Sequence, residues 1–304
     1  MAKSVLKNKR GQTEEEFLLQ YDAGKYERPS VTVDMLVFTV VNEHTESYRK
    51  LPEKALKILM VKRGDHPCLG CWALPGGFVN MDESLDEAAL RELKEETNIE
   101  DIYMEQLYTW GDVGRDPRTR VIGCSYMSLV DSSRLDIRAG DDADEASWFK
   151  VKVSIIEQKK NSGGNGYSVQ NLVRFVLENE CESLTATIKV NKVYDGSVVK
   201  VERELVESGG IAFDHAKIIE YAVERLRNKI EYTDIAFSLM PEHFTLTELQ
   251  QVYEVILGKE LLKANFRRKI ADMVVETGEY SRAAGHRPSM LFRYNPSWVE
   301  KHFE

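Results

Sequence analysis

The chain has no long apolar run, few cysteines and no excess of positive charge, and each shortage excludes a class of protein. No apolar stretch approaches the length that a membrane-spanning helix requires. The basic residues at positions 3, 7, 9 and 10 are not followed by the apolar segment of a secretory signal. We therefore expect a cytoplasmic protein without a membrane partner.

The four cysteines are too few for a disulfide framework and fit a reducing compartment. Cys68 and Cys71 form a single C-x-x-C pair, whereas a structural zinc site needs a second pair. Packing within a loop is therefore the favoured interpretation of this pair, and a metal or redox role is the alternative.

The length of 304 residues favours two domains, and the composition, 42% hydrophobic and 30% charged, is that of an ordinary globular protein. The net charge of −9 argues against a protein that coats nucleic acid by charge alone, but it allows a local basic surface. The pattern divides the chain into a helical lead-in over 1–30, a mixed domain over 31–230 and a helical unit over 231–304. There is no internal repeat.

The first two of these parts carry both strand and helix signals. Thr13 and Glu16 form a T-x-x-E capping box, which predicts a short helix through Phe17 and Leu18. A second, stronger helix is expected to begin near Ser84. Strands are predicted over 31–41, 56–61, 104–109 and 121–130. The order of these elements indicates a mixed α/β arrangement.

The segment 151–210 differs in character and is interpreted as an inserted hairpin. Apolar and polar residues alternate over 184–190, the pair Asp195-Gly196 is a hairpin turn signal, and 198–201 is the expected return strand. The stretch 161–166 (N-S-G-G-N-G) is predicted to be a flexible loop. A helix capped by Asp214 is expected next, with its apolar face at positions 218, 219, 222, 223, 226 and 230.

One group of residues has the spacing expected of a metal-binding catalytic site. Its members share the spacing G-x5-E-x7-R-E-U-x-E-E-x-x-U and are Gly77, Glu83, Arg91, Glu92, Leu93, Glu95, Glu96 and Ile99. Ser84 and Glu87 form an S-x-x-E capping box that fixes the start of the helix. The carboxylates of Glu92, Glu95 and Glu96 then share one helix face, and their repulsion is relieved by a hard cation such as Mg²⁺.

Other residues of the constellation support such a site. Arg91 can pair with a neighbouring glutamate and hold its rotamer. The pair Gly76-Gly77 allows close backbone approach, and a carbonyl oxygen there could complete the metal shell. Together these features suit metal-assisted attack of water on a phosphoanhydride. A solvated acidic helix face would not explain the arginine, the glycine pair and the upstream glutamate together.

This constellation resembles the Nudix box and departs from it only at Asn98, where the family has glycine. The resemblance implies a fold of class α+β, with a Nudix α/β/α sandwich around a mixed sheet. It implies metal binding by Glu92, Glu95 and Glu96, with the Gly76 carbonyl as a further candidate, and a supporting role for Glu83 and Arg91. The expected cofactor is Mg²⁺, with Mn²⁺ as the alternative. The catalytic base stays open between Glu95 and a later acidic run at 141, 142, 144 and 145.

The first domain further resembles the ADP-ribose pyrophosphatase branch of that family. The matching stretches are R-P-S-V-T-V-D at 28–34, V-K-R-G at 61–64, W-A-L-P-G-G at 72–77 and D-V-G-R-D-P-R-T-R at 112–120. Guanidinium groups bind phosphate bidentately, which makes Arg115 and its neighbours good phosphate partners. The substrate-binding residues implied are Arg63, Gly77, Asp116, Arg118 and Arg120.

The C-terminal unit begins with another capping box, formed by Thr245 and Glu248, with Phe244 and Leu249 placed as a hydrophobic staple. Its helix is expected to end at Gly258. A second, basic helix is expected over 262–274 and a strand over 290–294. From 263 to 293 seven basic residues face three acidic ones, a local charge of +4. Two helices followed by a polar hairpin match a winged helix-turn-helix.

This unit resembles the C-terminal domain of the Nudix-related transcriptional regulators of NAD metabolism. The resemblance implies double-stranded DNA as a partner, a homodimer, and DNA contacts from Lys263, Asn265, Arg267, Arg268 and Lys269. Three hypotheses follow: an ADP-ribose pyrophosphatase, a regulator that senses ADP-ribose with little turnover, or an enzyme whose winged helix serves docking. The box keeps every charged member, which favours hydrolysis, and DNA binding is compatible with it.

Overall fold

The computed structural model describes residues 6–43, 52–97, 103–135, 146–163, 166–281 and 288–299, except for the side chains of residues 96 and 97. The helices are α1 (Glu14–Leu19), α2 (Leu85–Thr97), α3 (His215–Lys229), α4 (Leu246–Leu257) and α5 (Lys263–Ile270). Short 3-10 helices span Ala23–Lys25, Ser132–Arg134, Ile235–Leu239 and Ala271–Met273.

The strands of the main sheet are β1 (Ser30–Asn42), β2 (Lys54–Lys62), β3 (Trp72–Ala73), β4 (Gly76–Phe78), β5 (Tyr103–Trp110), β6 (Val121–Asp131), β7 (Ala146–Gly163), β8 (Gly166–Glu178), β9 (Ser183–Asp195) and β10 (Val198–Glu207). A separate hairpin pairs β11 (Val274–Tyr280) with β12 (Met290–Tyr294). The main sheet runs β10-β9-β8-β7-β2-β1-β6-β5, with β3 beside β2 and β4 beside β1. Because β1 and β6 are parallel and the other pairs are antiparallel, the sheet is mixed, as the sequence predicts.

Helices cover both faces of this sheet and bury alternate residues of β1. On one face, Val33 and Met35 share an apolar cluster with Ala88 and Leu93 of α2. On the other face, Leu36 and Phe38 belong to a larger cluster that includes the apolar residues of α3 and of the C-terminal unit. The predicted α/β/α sandwich is therefore confirmed, and its larger core continues into the winged helix.

The inserted segment is more regular than a single added hairpin. Strands β7 to β10 form an antiparallel meander that extends the main sheet, and Asp195-Gly196 makes the predicted turn between β9 and β10. The flexible-loop prediction for 161–166 is wrong over 161–163, because Asn161 to Gly163 pair with Gly166 to Ser168 across the hairpin. Residues 164–165 lie outside the described ranges.

Two helix predictions also need correction. Asp214 stands at the start of α3, but its side chain makes no capping hydrogen bond there, because both carboxylate oxygens accept from Arg115 instead. The second helix of the C-terminal unit ends at Ile270 rather than near 274, since Val274 and Val275 already pair with Tyr294 and Arg293 in the hairpin. The apolar face predicted for α3 is buried as expected.

Candidate active site and nucleic-acid interface

Helix α2 carries the acidic constellation, and it is held by a capping box at its start and by burial of its apolar face. The Ser84 N–H donates to Glu87 Oε2 at 2.7 Å, and the Glu87 N–H donates to Ser84 Oγ at 3.2 Å, which is the predicted capping box. Ala88, Ala89 and Leu93 are buried against the sheet. The opposite face of α2 is therefore turned to the glycine-rich strand β4 and to solvent.

Arg91 is the centre of an ion cluster on this face. Its guanidinium donates to both carboxylate oxygens of Glu83, at 2.8 and 3.1 Å, and to Glu92 Oε1 at 2.6 Å. Glu95 Oε1 lies 3.7 Å from Arg91 Nη1. The hydrogen bonds from Arg91 and the Asn80 N–H lower the pKa of Glu83 to about 2. Glu83 is thus an ionised anchor for Arg91, which in turn orients Glu92.

Glu92 is the most buried of the acids on α2 that the structure describes in full. Its side chain is 10% exposed, and burial raises its pKa against the opposing effect of Arg91. A Cβ atom at Gly77 would lie 2.3 Å from Glu92 Oε1, so any other residue at this position would displace the carboxylate from its place beside β4. The sequence interpretation of the glycine pair therefore has a structural basis.

The donor set fits a hard divalent cation. Glu92 and the 60%-exposed Glu95 supply carboxylate oxygens on one side of α2, and Gly76 lies across from them on β4. Within the described part of the chain, no three acids, histidines or cysteines are grouped closely enough to form a complete metal shell by themselves. The Glu96 side chain, Asn98 and the acidic run at 141–145 lie outside the described residues, and their predicted roles stay predictions.

A cavity of about 190 Å³ lies between β4, the end of β2 and the start of α3. It brings together five of the predicted residues, which are Arg63, Gly76, Gly77, Asp116 and Arg118. Arg118 donates to both oxygens of Asp116, at 3.1 and 2.8 Å, while 43% of its side chain remains exposed. Asp116 therefore orients the Arg118 guanidinium, which could bind a phosphate group in the cavity.

Arg63 is held by the loop that contains the two cysteines. Its Nε donates to the Pro67 carbonyl oxygen at 2.8 Å, and its N–H donates to the Cys71 carbonyl oxygen at 2.9 Å. The Cys71 N–H closes a turn on Cys68, and both thiols are free. This geometry agrees with loop packing as the interpretation of the C-x-x-C pair.

Two other arginines of the 112–120 stretch are placed differently. Arg120 does not line the cavity, because its guanidinium donates to the carbonyl oxygens of Gly111 and Asp112 at 2.7 and 3.0 Å. Arg115 does line it, but its side chain is 6% exposed and pairs with Asp214 at 2.9 Å and Asp34 at 3.6 Å. Arg115 is therefore a buried residue of the cavity wall, whereas Arg120 holds the 111–112 backbone outside the cavity.

Sequence reasoning missed one part of the cavity wall, which is formed by the buried Asp34 and His215 and the partly buried Phe213. The Leu74 N–H donates to His215 Nδ1 at 2.9 Å, so the ring proton of neutral His215 is on Nε2, which lies 3.7 Å from Asp34 Oδ1. Burial lowers the pKa of His215 and raises that of Asp34. Asp34 stood inside a stretch already matched to the ADP-ribose branch, whereas Phe213 and His215 carried no motif.

The C-terminal unit presents the basic helix that the sequence predicts. All five predicted contact residues on α5 and at its start are exposed, whereas Phe266 and Ile270 are buried against α4. The Thr245–Glu248 capping box forms, and α4 ends at Gly258 in the left-handed conformation. Lys269 differs from its neighbours, because its ammonium group lies 3.4 Å from Glu231 and 5.2 Å from the Tyr253 ring centre.

The rest of this surface is the hairpin of β11 and β12. The basic residues Arg282 and Arg287 between the two strands lie outside the described residues. Helix α4, the turn, α5 and the hairpin follow in the order of a winged helix-turn-helix. Among the residues that the structure describes, no helix is long and apolar enough to cross a membrane.

Comparison with known proteins gives a family for each of two regions of the chain. Residues 34–171 match the NUDIX domain family, and residues 236–294 match the family described as the NrtR DNA-binding winged helix domain. The ADP-ribose pyrophosphatase of Methanocaldococcus jannaschii is 39% identical over 126 residues, which cover 41% of this chain and 64% of that protein.

Two further relatives match the chain across both of these regions. The ADPR responsive transcriptional repressor NtrR of Acinetobacter baylyi is 33% identical over 285 residues, which cover 93% of this chain and 88% of the relative. The crystal structure of Shewanella oneidensis NrtR complexed with a 27mer DNA is 29% identical, covers 89% of this chain and 95% of that chain, and superposes with a TM-score of 0.58. The chain therefore belongs to the family of Nudix proteins fused to an NrtR-type DNA-binding winged helix.

Proposed function

We propose that this protein hydrolyses ADP-ribose, with Mg²⁺ as cofactor, and that its winged helix binds double-stranded DNA under the control of the same nucleotide. The observation that carries the hydrolytic half is the intact ion cluster of Arg91 with Glu83, Glu92 and Glu95 beside an arginine-lined cavity. Carboxylates in this arrangement would place a cation beside the diphosphate, where it could polarise the phosphoanhydride, and this favours hydrolysis over sensing alone.

The cavity favours a ligand with a diphosphate. Arg63 and Arg118 face it with exposed or half-exposed guanidinium groups, and such groups form strong, often bidentate, bonds with phosphate oxygens. The buried Arg115 adds a positive charge behind them, although Asp214 and Asp34 balance it. ADP-ribose as the ligand is supported by the resemblance of 112–120 and by the pyrophosphatase relative.

In the reaction, water adds to one phosphorus of the diphosphate, the phosphoanhydride P–O bond breaks, and AMP and ribose 5-phosphate are released. Glu92, Glu95 and Glu96, with the Gly76 carbonyl, would hold the cation, which supplies charge neutralisation and polarisation of the phosphoanhydride. Arg91 keeps the carboxylate of Glu92 in one orientation, and Glu83 keeps Arg91 in place. Arg63 and Arg118 bind the phosphates, and Asp116 orients Arg118.

The measurement that tests this proposal is AMP release from ADP-ribose in the presence of Mg²⁺, compared with other nucleoside diphosphate derivatives and with a chelator control. Rapid AMP formation that is lost with the chelator supports hydrolysis. Tight ADP-ribose binding without turnover contradicts it and supports the second candidate, a sensor, which the repressor relative favours. The absence of both ADP-ribose binding and ADP-ribose turnover would contradict the hydrolase and the sensor alike.

DNA binding is supported by the exposed cations of α5 and by the relative crystallised with a DNA duplex. We further propose that the protein acts as a homodimer, since two winged helices related by a twofold axis read two half-sites of a duplex. Sedimentation of the full chain with and without a DNA duplex tests this, and a monomer that binds one duplex would contradict it.

A further inference from the structure

Phe213 has an unusual backbone conformation at the wall of the nucleotide cavity. Its φ of 51° makes it one of two residues other than glycine with a positive φ in the described part of the chain, and the other is Cys68. For a bulky side chain this conformation is unfavourable, and it persists only where the surroundings impose it. Such an outlier calls for a physical cause and often marks a functional element.

The residues on both sides of Phe213 are fixed by hydrogen bonds. The Ala212 N–H donates to the Trp72 carbonyl oxygen at 2.8 Å, and Asp214 accepts two hydrogen bonds from Arg115. His215 accepts a hydrogen bond from the Leu74 N–H at 2.9 Å. Hydrogen bonds at Ala212, Asp214 and His215 therefore constrain the backbone on both sides of Phe213 and keep this residue in the left-handed conformation.

The ring of Phe213 stands between two phosphate-binding candidates. The guanidinium of Arg63 lies 4.9 Å from the ring centre, and that of Arg118 lies 6.0 Å from it. An aromatic face attracts a guanidinium only modestly, whereas phosphate oxygens offer charge-assisted and bidentate hydrogen bonds. A diphosphate in the cavity would therefore change how both arginines contact the ring.

Helix α3 begins two residues after Phe213 and runs to the winged helix. It has 15 residues and is about 22 Å long, and most of its inner face is buried. At its far end, Arg227 Nε donates to the Ile256 carbonyl oxygen in the last turn of α4 at 2.9 Å. Immediately after α3, Glu231 lies 3.4 Å from both Lys259, in the turn between α4 and α5, and Lys269, on α5.

From these contacts we propose that Phe213 is a positioning residue that couples nucleotide binding to the DNA-binding helices through α3. When a diphosphate engages Arg63 and Arg118, the constraint on the Phe213 ring changes, and α3 carries the resulting displacement to α4 and α5. A ligand shifts an equilibrium only by its differential interaction with the two states, and the two guanidinium–ring contacts provide that difference. This inference rests on the proposed binding of a nucleoside diphosphate.

The test uses the full chain, with ADP-ribose as the probe, and measures binding by calorimetry and amide hydrogen exchange over residues 246–270. In the wild-type protein we expect ADP-ribose to change the exchange rates of α4 and α5. In Phe213→Leu, which removes the aromatic face, we expect ADP-ribose still to bind but its effect on these rates to fall by about threefold or more. Phe213→Tyr, which keeps the ring, should retain the effect.

Two further variants separate coupling from simple damage to the cavity. Phe78→Leu removes another ring beside Arg118, at 5.4 Å, but this ring is on β4, so the exchange effect at α4 and α5 should persist. Glu231→Gln leaves the cavity intact and weakens the contact at the far end, so ADP-ribose affinity should be unchanged while the exchange effect falls. Melting curves identify any variant that is merely unfolded.

Each outcome decides one proposal. If Phe213→Leu with bound ADP-ribose shows the full wild-type effect, the coupling role of Phe213 is overturned. If the wild-type protein binds ADP-ribose without any change at α4 and α5, the coupling inference fails and the proposed ligand stands. If calorimetry detects no ADP-ribose binding by the wild-type protein, the proposed function itself fails, and this inference fails with it.

Discussion

The two charged surfaces of this protein are built in opposite ways. Around α2 and the cavity, the charged groups are paired at hydrogen-bonding distance, and Glu92 and Arg115 are almost completely withdrawn from solvent. Along α5, Arg267 and Arg268 point into solvent, and among described residues the Arg268 guanidinium meets only the Asn265 side chain, at 3.3 Å. Hydrogen bonds orient the side chains of the first surface, whereas the second surface presents several exposed cations.

This difference determines how each surface responds to substitution. A buried ion pair that loses one partner leaves an uncompensated charge, so single changes at the Nudix site have large effects. Exposed cations contribute to DNA affinity mainly through counterion release, so their effects are moderate, additive and dependent on salt. The following predictions test whether the two surfaces differ in this way.

The largest expected effect is on hydrolysis when a metal-binding carboxylate is neutralised. Glu96→Gln and Glu92→Gln should each reduce the rate of AMP release by about two orders of magnitude or more, because each would remove one of the proposed charged ligands of the cation. Single-turnover assays at saturating Mg²⁺ measure this loss. Turnover close to the wild-type value in both variants would show that these carboxylates do not hold the catalytic metal.

Glu87→Gln is the matched control for these variants. It also neutralises a glutamate on α2, but glutamine can replace glutamate in the capping box with Ser84. We expect its rate of hydrolysis to stay within about threefold of the wild-type rate, since surface changes of this kind have small effects. A large loss in Glu87→Gln would mean that any change on α2 disturbs the site.

The second effect concerns two arginines that are close in sequence. Arg118→Ala should weaken ADP-ribose binding by about ten- to a hundredfold, because a charge-assisted hydrogen bond contributes roughly 1.5–3 kcal/mol. Arg120→Ala should change binding much less, since its guanidinium is engaged by Gly111 and Asp112 outside the cavity. Calorimetric titration of both variants measures the difference. Equal losses would restore Arg120 as a ligand contact.

A moderate effect on DNA affinity is expected when exposed cations of α5 are removed. Arg267→Ala combined with Arg268→Ala should weaken DNA binding and reduce the slope of log affinity against log salt by about 2, one unit for each lost phosphate contact. Fluorescence anisotropy with a DNA duplex over a range of salt concentrations measures both quantities. The control removes two cations from the meander, with Lys159→Ala and Lys160→Ala. An unchanged slope in the α5 variant would exclude α5 from the DNA-binding surface.

The sequence predicts the elements of this protein best where local signals decide them. Both capping boxes of the Nudix and winged-helix helices form as predicted, and the left-handed Gly258 ends α4. The acidic face of α2 and the hairpin turn at Asp195-Gly196 also follow from short-range pattern. These features depend on residues within one or two helical turns or a single hairpin, so one sequence is enough to find them.

The features that the sequence did not predict depend on contacts between distant residues. Asp214 has the composition of a helix cap, but Arg115, 99 positions earlier, takes both of its oxygens. The sequence offers Arg115, Arg118 and Arg120 within six residues as phosphate partners, and only the fold separates a buried wall residue, a cavity residue and a loop anchor. His215 carried no motif because its role arises from the backbone of Leu74.

The smallest effect expected is on stability against acid, and it depends on the burial of His215. Burial, aided by Arg115 and Arg63 and opposed by Asp34, lowers the pKa of His215 from 6.5, so the folded protein favours the neutral ring. The stability that His215 contributes is therefore complete above pH 6.5 and is lost as the pH falls through its lower folded pKa. His215→Asn keeps an acceptor for the Leu74 N–H and should reduce this loss.

Thermal melts between pH 7 and pH 5 measure the effect, where about 1 kcal/mol corresponds to about 2–4 °C in the melting temperature. Asp34, whose pKa burial raises, titrates with the opposite sign from 3.8 upward, and because its carboxylate lies 3.7 Å from His215, the difference between the two proteins reports on this coupled pair. The control His243→Asn removes a histidine whose side chain is 42% exposed. If His215→Asn follows the wild-type pH dependence, the buried network does not govern acid stability, and the contrast with the exposed cations of α5 is restricted to ligand and DNA binding.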